Sequence, residues 1–556
     1  MRNSSLTIED FKELIDLNAY YVDKTQFIID CIKEKCVLYT RPRRFGKTLN
    51  MSMLYYFFSN KEKDNAYLFD GLKVANYPEV MKHQNQYPVI FISLKELDNS
   101  TFQSQINLFS NIIFKILDKN YKELLTSDQL SDARKEILNQ LIFQKASIDQ
   151  LKVSLETISQ SLYQHYHKKV IILIDEYDVP LQAAYQNGYY EEMVDFLRNV
   201  FSSSLKSNDS LEKGILTGCL RISKESIFTG LNNFNVYSIL DKGNEENFGF
   251  TENEVKQMLE DYHISDCFDD VKKWYDGYLF GDKEIYNPWS TIKYIKKNIE
   301  NNVKLPQPYW ANTSGNNIVY NYIKNATPKL REEFETLLHD GTVIKEINPE
   351  LTYREMSDIN NIYSFLLLTG YLKIKSQVEE IDEYNRNKTI TKYELIIPNE
   401  EVYQIYRKQF SKYFENYVGE RLQSLYNALM EGNEKLVMKL LNEILSKKIS
   451  YYDNKESFYH GFLTGLFSGY NIQSNKESGD GRFDLCISPE DGENNVGVII
   501  ECKHSSEAKN LVNDAKKALK QINDKNYRQD LEGQGCEIKE YGISFYKKRC
   551  YIVKAE

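Results

Sequence analysis

A Gly-Lys-Thr triplet at Gly46, Lys47 and Thr48 follows a short apolar run, Cys36–Tyr39, and precedes a helical pattern over Leu49–Phe58. A strand, a tight loop, this triplet and a helix together form the layout of a nucleotide phosphate-binding loop. In such a loop the backbone N–H groups and the N-terminus of the helix face the phosphates. We therefore expect Lys47 to reach the β- and γ-phosphates of ATP and the Thr48 hydroxyl to bind Mg²⁺.

The loop departs from the usual pattern G-x-x-x-x-G-K-[ST] at its first position, where Arg41 replaces glycine. Arg43 and Arg44 lie inside the loop and, with Gly46, are further candidates for nucleotide contacts. A Gly-Lys-Thr triplet also arises by chance in a chain this long. The nucleotide interpretation therefore needs a second, independent feature.

An unbroken apolar run, Val170–Ile174, ends in the acidic sequence Asp175-Glu176-Tyr177-Asp178. A run that is apolar on both faces is typical of a central strand in a parallel sheet covered by helices. Acidic residues at the carboxyl end of such a strand lie where open α/β sheets bind ligands. We predict that Asp175 holds Mg²⁺ and that Glu176 polarises the attacking water. The alternative is a core strand that ends in a polar turn.

Length and composition limit the class of protein. A chain of 556 residues predicts three or four domains, and 42% hydrophobic with 27% charged residues is an ordinary soluble mixture. Because the net charge is -10, a nucleic-acid partner needs a local basic surface. The eight cysteines include no Cys-x-x-Cys pair, which favours reduced thiols. With no apolar signal segment and no run of membrane-spanning length, we expect a cytoplasmic protein without membrane contact.

Further predicted elements extend the same fold. Tyr87–Leu94 reads as a second buried strand, Thr101–His167 as a long helical stretch, and Lys213–Gly218 as a fourth strand. In nucleotide hydrolases with an extra strand between the phosphate-loop strand and the acidic strand, that strand ends in a polar sensor of the γ-phosphate. Thr217 is the candidate sensor and Arg221 a candidate phosphate-facing cation, although threonine and glycine at strand ends are also ordinary turn residues.

Seven short motifs, considered together, are typical of one protein family. They are Arg41–Leu49, Asp175–Asp178, Leu216–Gly218, Arg221–Phe228, Tyr21–Thr25, Trp274–Tyr278 and Tyr286–Ser290. In combination they resemble the AAA-ATPase-like family of bacterial proteins, in which arginine commonly replaces the first glycine of the loop. The resemblance implies an α/β P-loop ATPase domain with an additional-strand parallel sheet over residues 1–295. It also implies that a nuclease-like domain follows at the C-terminus.

The middle of the chain is predicted as a helical, winged-helix-like lid or linker region over residues 296–400. Ile362–Lys375 reads as a helix, a glycine turn and a strand, and Glu394–Pro398 as a partner strand. Just before this region, the aromatic segments Trp274–Tyr278 and Tyr286–Ser290 bracket a hairpin or tight loop. Their aromatic rings either pack in the core or stack on nucleobases.

The C-terminal part places acidic residues and a lysine at strand ends. Asp484 stands at the start of one predicted strand, and Glu501 and Lys503 at the end of the next, Val496–Ile500. Because alternate residues of a strand share a face, Glu501 and Lys503 point the same way while Cys502 points to the core. The alternative interpretation of Glu-x-Lys on an amphipathic strand is a simple cross-strand ion pair.

This arrangement resembles the PD-(D/E)xK nucleases, and Gln521 and Tyr527 match an Ala…Gln-Ile…Tyr pattern of these domains. The resemblance implies an α/β restriction-endonuclease-like domain over residues 401–556 with leading helices, and it implies that Gln521 faces the metal site. Phe483 stands where the motif has its proline.

The predicted nuclease site consists of two carboxylates and a lysine. We expect Asp484 and Glu501 to hold Mg²⁺, for which Mn²⁺ can substitute, with Glu477 as a further candidate ligand. Lys503 would orient the water or offset the charge of the oxyanion.

The two sets of motifs in one chain predict an ATP-hydrolysing protein whose nucleotide cycle controls a Mg²⁺-dependent phosphodiesterase acting on DNA. RNA as the substrate and assembly into a homo-oligomer both stay open. The rival hypothesis is a nucleotide-dependent switch or scaffold whose nuclease-like domain binds nucleic acid or protein without cleaving it.

Overall fold

The structure is a computed structural model that divides into two compact units. It describes residues 8–206, 208–221, 234–301, 304–310, 327–338, 341–357, 359–381, 389–448, 459, 462–464, 466–467, 470–474, 477–478, 481–482, 484–488, 496–532 and 536–555. The first unit comprises Met1–Asn317 and Thr336–Tyr406, and the second comprises Ile318–Glu335 and Arg407–Glu556.

A five-stranded parallel sheet forms the centre of the first unit. Its strands are β1 (Cys36–Thr40), β2 (Val89–Ser93), β3 (Val170–Asp175), β4 (Leu211–Gly218) and β5 (Phe234–Tyr237). They lie in the order β2-β3-β4-β1-β5. The additional strand β4 therefore separates the phosphate-loop strand β1 from the acidic strand β3, as predicted. Every residue of β1 and β3 is buried, because both strands are apolar on both faces.

Ten helices accompany this sheet among the described residues. They are α1 (Phe11–Asp16), α2 (Gln26–Lys33), α3 (Lys47–Phe58), α4 (Pro78–Met81), α5 (Phe102–Asn120), α6 (Asp132–Ile142), α7 (Ile148–Lys152), α8 (Ser154–Tyr166), α9 (Val179–Asn187) and α10 (Tyr190–Phe201).

The stretch predicted as helical, Thr101–His167, is helical, but the chain divides it into the four α-helices α5 to α8. The hydroxyl of Ser131 accepts a hydrogen bond from the N–H of Arg134 and begins α6, and Ser147 forms a capping box that begins α7. Apolar spacing alone does not reveal such interruptions, since the separate helices bury the same kind of face.

An aromatic-rich segment follows the parallel sheet. It contains α11 (Glu252–Asp261), α12 (Phe268–Tyr275), β6 (Tyr278–Phe280), β7 (Lys283–Ile285) and α13 (Pro288–Asn301). The strands β6 and β7 pair as the predicted hairpin. Tyr275, Tyr278 and Tyr286 are buried, which supports the core-packing alternative for these aromatic residues.

The next elements are α14 (Pro328–Leu338), β8 (Val343–Lys345), α15 (Ile359–Leu368), β9 (Lys373–Ile381), β10 (Thr389–Ile396) and α16 (Glu400–Glu431). The three strands form an antiparallel sheet in the order β8-β10-β9. Between α15 and β9 the chain turns at Gly370, whose φ of 89° favours glycine. The predicted helix, glycine turn and strand pair are therefore present, and β8 adds a third strand.

The second unit is built on a mixed five-stranded sheet. Its elements are α17 (Glu434–Lys448), β11 (Ile472–Ser474), β12 (Glu477–Ser478), β13 (Gly481–Arg482), β14 (Leu485–Ile487), β15 (Val496–His504), α18 (Leu511–Asp524), α19 (Gln529–Glu532), β16 (Glu537–Tyr546) and β17 (Arg549–Lys554). The order is β11-β14-β15-β16-β17, and only the central pair β15–β16 is parallel. Helix α18 connects these two parallel strands, as a crossover connection requires.

Within the described ranges, no helix has both the length and the apolar composition needed to cross a bilayer.

Candidate active sites

The loop between β1 and α3 places the Lys47 side chain against the backbone of the same loop. Gly46 has a φ of 82°, a left-handed conformation that favours glycine, and α3 starts at the next residue. The Nζ of Lys47, which is almost fully buried, donates to the carbonyl oxygens of Arg41 (3.2 Å) and Pro42 (3.1 Å). The lysine therefore folds back over its own loop, at the N-terminus of a helix, where an anion is stabilised.

Asp175 at the end of β3 connects the loop to the additional strand. The hydroxyl of Thr48 donates to Asp175 Oδ2 (2.9 Å), and the hydroxyl of Thr217 donates to Asp175 Oδ1 (2.7 Å). Burial and the neighbouring Glu176 raise the pKa of Asp175 above its ordinary value. Three predicted site residues from β3, β4 and α3 thus meet at the carboxyl edge of the sheet.

Glu176 lies beside the lysine, with its carboxylate Oε1 3.4 Å from Lys47 Nζ. Its backbone is left-handed, with a φ of 54°. Burial would raise the pKa of Glu176, but the Lys47 and Arg43 cations bring it below the ordinary value. Glu176 is therefore held in the charged form that a general base requires.

Two further residues, Asp178 and Cys219, belong to this cluster, and no role was predicted for either of them. Asp178 Oδ2 accepts hydrogen bonds from the N–H groups of Cys219 (2.9 Å) and Leu220 (3.1 Å), which holds the end of β4 against the acidic turn. The Cys219 Sγ lies 3.5 Å from Lys47 Nζ. Candidate ligand atoms of Glu176, Asp178 and Cys219 lie within 4.8 Å of one another. Asp178, the third carboxylate after the apolar run, was the only sequence signal for this cluster.

The surroundings of Arg41 explain how the loop accommodates arginine at the position where the usual pattern has glycine. Its side chain is fully buried, and the guanidinium donates to the carbonyl oxygens of Thr40 (2.8 Å), Tyr237 (2.8 Å) and Asn244 (3.0 Å). The Arg41 N–H still bonds to the carbonyl of Gly218. A long side chain is accommodated because it points into the protein and away from the loop.

The other predicted arginines have different surroundings. Arg44 lies over the ring of Trp289, 4.3 Å from its centroid. Arg221 forms an ion pair with Glu350 at 2.9 Å, so that the predicted phosphate-facing role of Arg221 stays a prediction. Arg43 donates from Nη2 to Gln182 Oε1 at 2.6 Å.

In the second unit the predicted nuclease residues Glu501 and Lys503 lie on β15, Gln521 lies on α18, and Asp484 directly precedes β14. Glu501 is 2% exposed, accepts a hydrogen bond from Gln521 Nε2, and has Oε1 3.5 Å from Lys503 Nζ. Asp484 Oδ2 accepts the N–H of Cys502 at 2.7 Å, and Cys502 is buried on the other face of the strand. The alternation predicted for residues 501–503 and the approach of Gln521 are both present. The side chain of Glu477 lies outside the described residues.

The Glu501 carboxylate fits a divalent cation. Its Oε2 is buried and has no hydrogen-bond partner within the part of the chain that the structure describes. Burial and the neighbouring Asp484 raise the pKa of Glu501 to about 8. An orphaned buried carboxylate oxygen beside a second carboxylate is costly for the protein alone, and Mg²⁺ and Mn²⁺ prefer such oxygen ligands.

The phosphate loop fits a Mg–nucleotide in a similar way. The Thr48 hydroxyl and the Asp175 carboxylate offer two oxygen ligands at the carboxyl edge of the sheet, beside a buried lysine cation. The carboxylate and hydroxyl oxygens in each unit are therefore suitable ligands for the Mg²⁺ that was predicted there.

Comparisons with known proteins agree with both resemblances. Residues 5–228 match the model of a family described as predicted AAA-ATPase, AAA-ATPase-like, and residues 454–555 match the PD-(D/E)XK nuclease superfamily. A protein described as an uncharacterized protein in the vnfD 5′ region of Azotobacter chroococcum mcd 1 is 24% identical over 550 residues, which are 96% of this chain and 94% of that protein. The similarity to that protein therefore runs through both units.

Proposed function

We propose that this chain, which carries an AAA-ATPase-like domain at residues 5–228 and a PD-(D/E)XK nuclease superfamily domain at residues 454–555, hydrolyses ATP and uses the nucleotide cycle to control Mg²⁺-dependent cleavage of DNA. The observation that carries the proposal is the shared Asp175 carboxylate, which accepts from Thr48 and Thr217 beside Lys47. This is the arrangement by which loop, metal and γ-phosphate sensor act on one nucleotide.

In the ATP site each residue has a separate role. Lys47 would release its two loop carbonyls and bind the β- and γ-phosphates. Thr48 and Asp175 would hold Mg²⁺, and Thr217 would report the γ-phosphate to the end of β4. Glu176, kept charged by its neighbours, would orient and deprotonate the attacking water.

In the nuclease site, Asp484 and Glu501 would hold a divalent cation, which when bound lowers the pKa of a water and offsets charge on the phosphate. Lys503 lies on the same face as Glu501 and would orient the water or stabilise the negative charge that develops on the phosphate oxygens. Gln521 fixes the rotamer of Glu501 through its hydrogen bond.

ATP hydrolysis is tested with purified protein and Mg²⁺. We expect Lys47→Ala and Asp175→Asn to lower turnover at least about a hundredfold, because the first removes the cation that would bind the phosphates and the second removes the charge that would hold Mg²⁺. The matched control is Lys145→Ala, which removes an exposed lysine of the same unit and should retain wild-type turnover. Equal turnover in Lys47→Ala and wild type would refute the ATP site.

Cleavage is tested with linear DNA and with RNA, in Mg²⁺, in Mn²⁺ and in EDTA. We expect cleavage of DNA that EDTA abolishes and that Asp484→Ala or Lys503→Ala lowers at least about a hundredfold. Lys439→Ala, at an exposed position of α17, is the control. Cutting that persists in Asp484→Ala would place the chemistry elsewhere, and nucleic-acid binding without any metal-dependent cleavage would favour the switch or scaffold hypothesis.

A further inference from the structure

Glu176, Asp178 and Cys219 place two carboxylates and a thiol around one point beside the phosphate loop. Each residue offers one atom that can bind a metal ion, and these three atoms lie within 4.8 Å of one another. The two carboxylates belong to the acidic turn after β3, and Cys219 directly follows β4. Because β3 and β4 are neighbouring parallel strands, the three side chains meet at the carboxyl edge of the sheet.

The carboxylate of Asp178 has one oxygen that is bonded and one that is not. Oδ2 accepts from the N–H groups of Cys219 and Leu220, which fixes the side chain. Asp178 is only 3% exposed, and its Oδ1 has no hydrogen-bond partner among the described residues. A Cβ at Gly218 would lie 2.7 Å from Oδ1, so that glycine is needed for this oxygen to approach the end of β4. A buried carboxylate oxygen without a partner is costly and indicates a ligand.

A cation already lies against the same group of side chains. The Nζ of Lys47 is 3.4 Å from Glu176 Oε1 and 3.5 Å from Cys219 Sγ. In the proposed ATP site this ammonium moves to the phosphates, and these two side chains then lose their cation. A divalent cation at that place can bind all three side chains, including the buried Oδ1 of Asp178, because a metal ion takes several ligands at once.

We propose that these three residues bind a divalent cation with affinity for sulfur, such as Zn²⁺, in place of the Lys47 ammonium. The cysteine determines the class of ion, since Mg²⁺ prefers oxygen ligands whereas Zn²⁺ binds thiolate and carboxylate together. A tetrahedral Zn²⁺ ion holds its ligand atoms roughly 3.3 to 3.6 Å apart, so that side-chain movements of about 1 Å are sufficient. This site is separate from the proposed Mg²⁺ ligands Thr48 and Asp175.

Binding of the ion has two chemical consequences. Burial raises the pKa of Cys219 to about 12, so that the thiol is protonated without metal and releases its proton to solvent when the sulfur binds the ion. A Glu176 carboxylate bound to the ion can no longer accept the proton of the attacking water, and Zn²⁺ therefore inhibits ATP hydrolysis. The inhibition rests on the proposed function, whereas the binding of the ion does not.

The first test titrates the full-length protein with Co²⁺, which replaces Zn²⁺ in such sites and reveals a bound thiolate by its absorption. The titration uses a reductant without thiols and no nucleotide. We expect a sulfur-to-cobalt charge-transfer band that saturates at one ion per chain, that added Zn²⁺ removes, and that Cys219→Ser abolishes. Asp178→Asn should weaken Co²⁺ binding at least about tenfold.

The control for this titration is Cys36→Ser, which removes a different buried cysteine of the first unit and should keep the band. A charge-transfer band that persists in Cys219→Ser would place the thiolate elsewhere, and a wild-type protein without the band would have no such site. Either result would overturn the proposal.

The Lys47→Ala protein should change in the opposite direction. Because the ammonium and the ion occupy the same place, removal of the ammonium should tighten Co²⁺ binding at least about tenfold. A gain in affinity cannot arise from a folding defect, so that it supports the site even where Cys219→Ser folds poorly. Lys145→Ala, at an exposed position of the same unit, should bind Co²⁺ as wild type does. Equal affinities of Lys47→Ala and wild type for Co²⁺ would contradict the inference.

ATP turnover at constant Mg²⁺, measured with and without one equivalent of Zn²⁺ per chain, tests the inhibition. Zn²⁺ should lower the wild-type rate at least about tenfold and the Cys219→Ser rate less than about twofold, each relative to the same protein without Zn²⁺. Equal inhibition of both proteins would contradict the inference. If wild type hydrolyses no ATP, the proposed function fails while the Co²⁺ titration still decides the metal site; if ATP is hydrolysed but no charge-transfer band appears, the inference alone fails.

Discussion

Two residues of the proposed ATP site, Arg44 and Glu176, have a left-handed backbone conformation although neither is glycine. The φ angles are 70° for Arg44 and 54° for Glu176. Such a conformation costs an L residue roughly 1 kcal/mol and persists only where its surroundings hold it. Arg44 is held over Trp289, and the Glu176 carboxylate lies 3.4 Å from Lys47 Nζ. The backbone strain is therefore found at the two residues, Arg44 and Glu176, whose charged side chains lie beside the phosphate loop.

Replacing Arg41 by glycine, which restores the usual loop pattern, should destabilise the first unit. The change leaves the carbonyls of Thr40, Tyr237 and Asn244 without their donor and empties the space between the rings of Phe248 and Phe280. We expect a loss of roughly 3 kcal/mol in the free energy of unfolding, measured by urea denaturation. An unchanged free energy of unfolding for Arg41→Gly would show that the buried guanidinium is dispensable.

Glu401 at the start of α16 should make the stability of the first unit depend on pH. Its buried carboxyl accepts from the Ser290 hydroxyl (2.9 Å) and the Trp310 N–H (2.7 Å), and burial raises its pKa to about 7. Because the folded state binds the proton more tightly than the unfolded state, this contribution is present below pH about 4.5 and is lost as the pH rises to about 7. Stability should therefore fall over this window.

The Glu401→Gln variant keeps the accepting oxygen but cannot ionise. Relative to wild type, it should gain up to roughly 3 kcal/mol of unfolding free energy between pH 5 and pH 8, since only wild type must bury a charge at the higher pH. Unfolding of the first unit followed at both pH values checks this. Parallel pH profiles for the two proteins would rule out Glu401 as the titrating group.

At the scale of elements, the close packing of α18 on β16 should set the geometry of the nuclease site. A Cβ at Gly542 would lie 2.2 Å from the carbonyl oxygen of Ala515 and 2.4 Å from the nitrogen of Leu519, both backbone atoms of the helix. Gly542→Ala must therefore push α18 outward, and with it Gln521, which bonds Glu501. We expect a loss of roughly 2 kcal/mol in stability and a drop of at least about tenfold in DNA cleavage.

The matched control is Gly497→Ala on the neighbouring strand β15. A Cβ there would first meet the Leu531 side chain at 2.7 Å, which can rotate away. A smaller effect on stability and near-normal cleavage are expected. If both alanine variants lowered cleavage equally, the packing of α18 at Gly542 would not be what positions Gln521.

Much of each site was predictable from the sequence, because side chains alternate between the two faces of a strand with a period of two residues. The apolar run before Asp175 and the alternation at residues 501–503 determine which side chains reach a sheet edge, and the structure has them there. The contacts of Asp178 with the N–H groups of Cys219 and Leu220 join segments some forty residues apart, so local pattern does not reveal them. The direction of the Arg41 side chain likewise depends on carbonyls of Tyr237 and Asn244, which are remote in sequence.

At the scale of the whole molecule, each unit contains a group of carboxylates with its own lysine. Lys47 forms an ion pair with Glu176, the residue after Asp175, in the first unit, and Lys503 forms an ion pair with Glu501 in the second. Because no residue is shared, a substitution in one group should leave the chemistry of the other intact. The proposed control of DNA cleavage by ATP therefore requires a change of conformation that ATP favours in the first unit.

The rate of linear-DNA cleavage in Mg²⁺, measured with and without ATP in wild type and in Lys47→Ala, tests this account most directly. We predict that ATP changes the wild-type rate at least about fivefold, and that Lys47→Ala cleaves DNA at the ATP-free wild-type rate whether or not ATP is added. Two results would contradict the proposed coupling: a Lys47→Ala protein whose cleavage rate changes with ATP as that of wild type does, or a wild-type protein whose cleavage rate is the same with and without ATP.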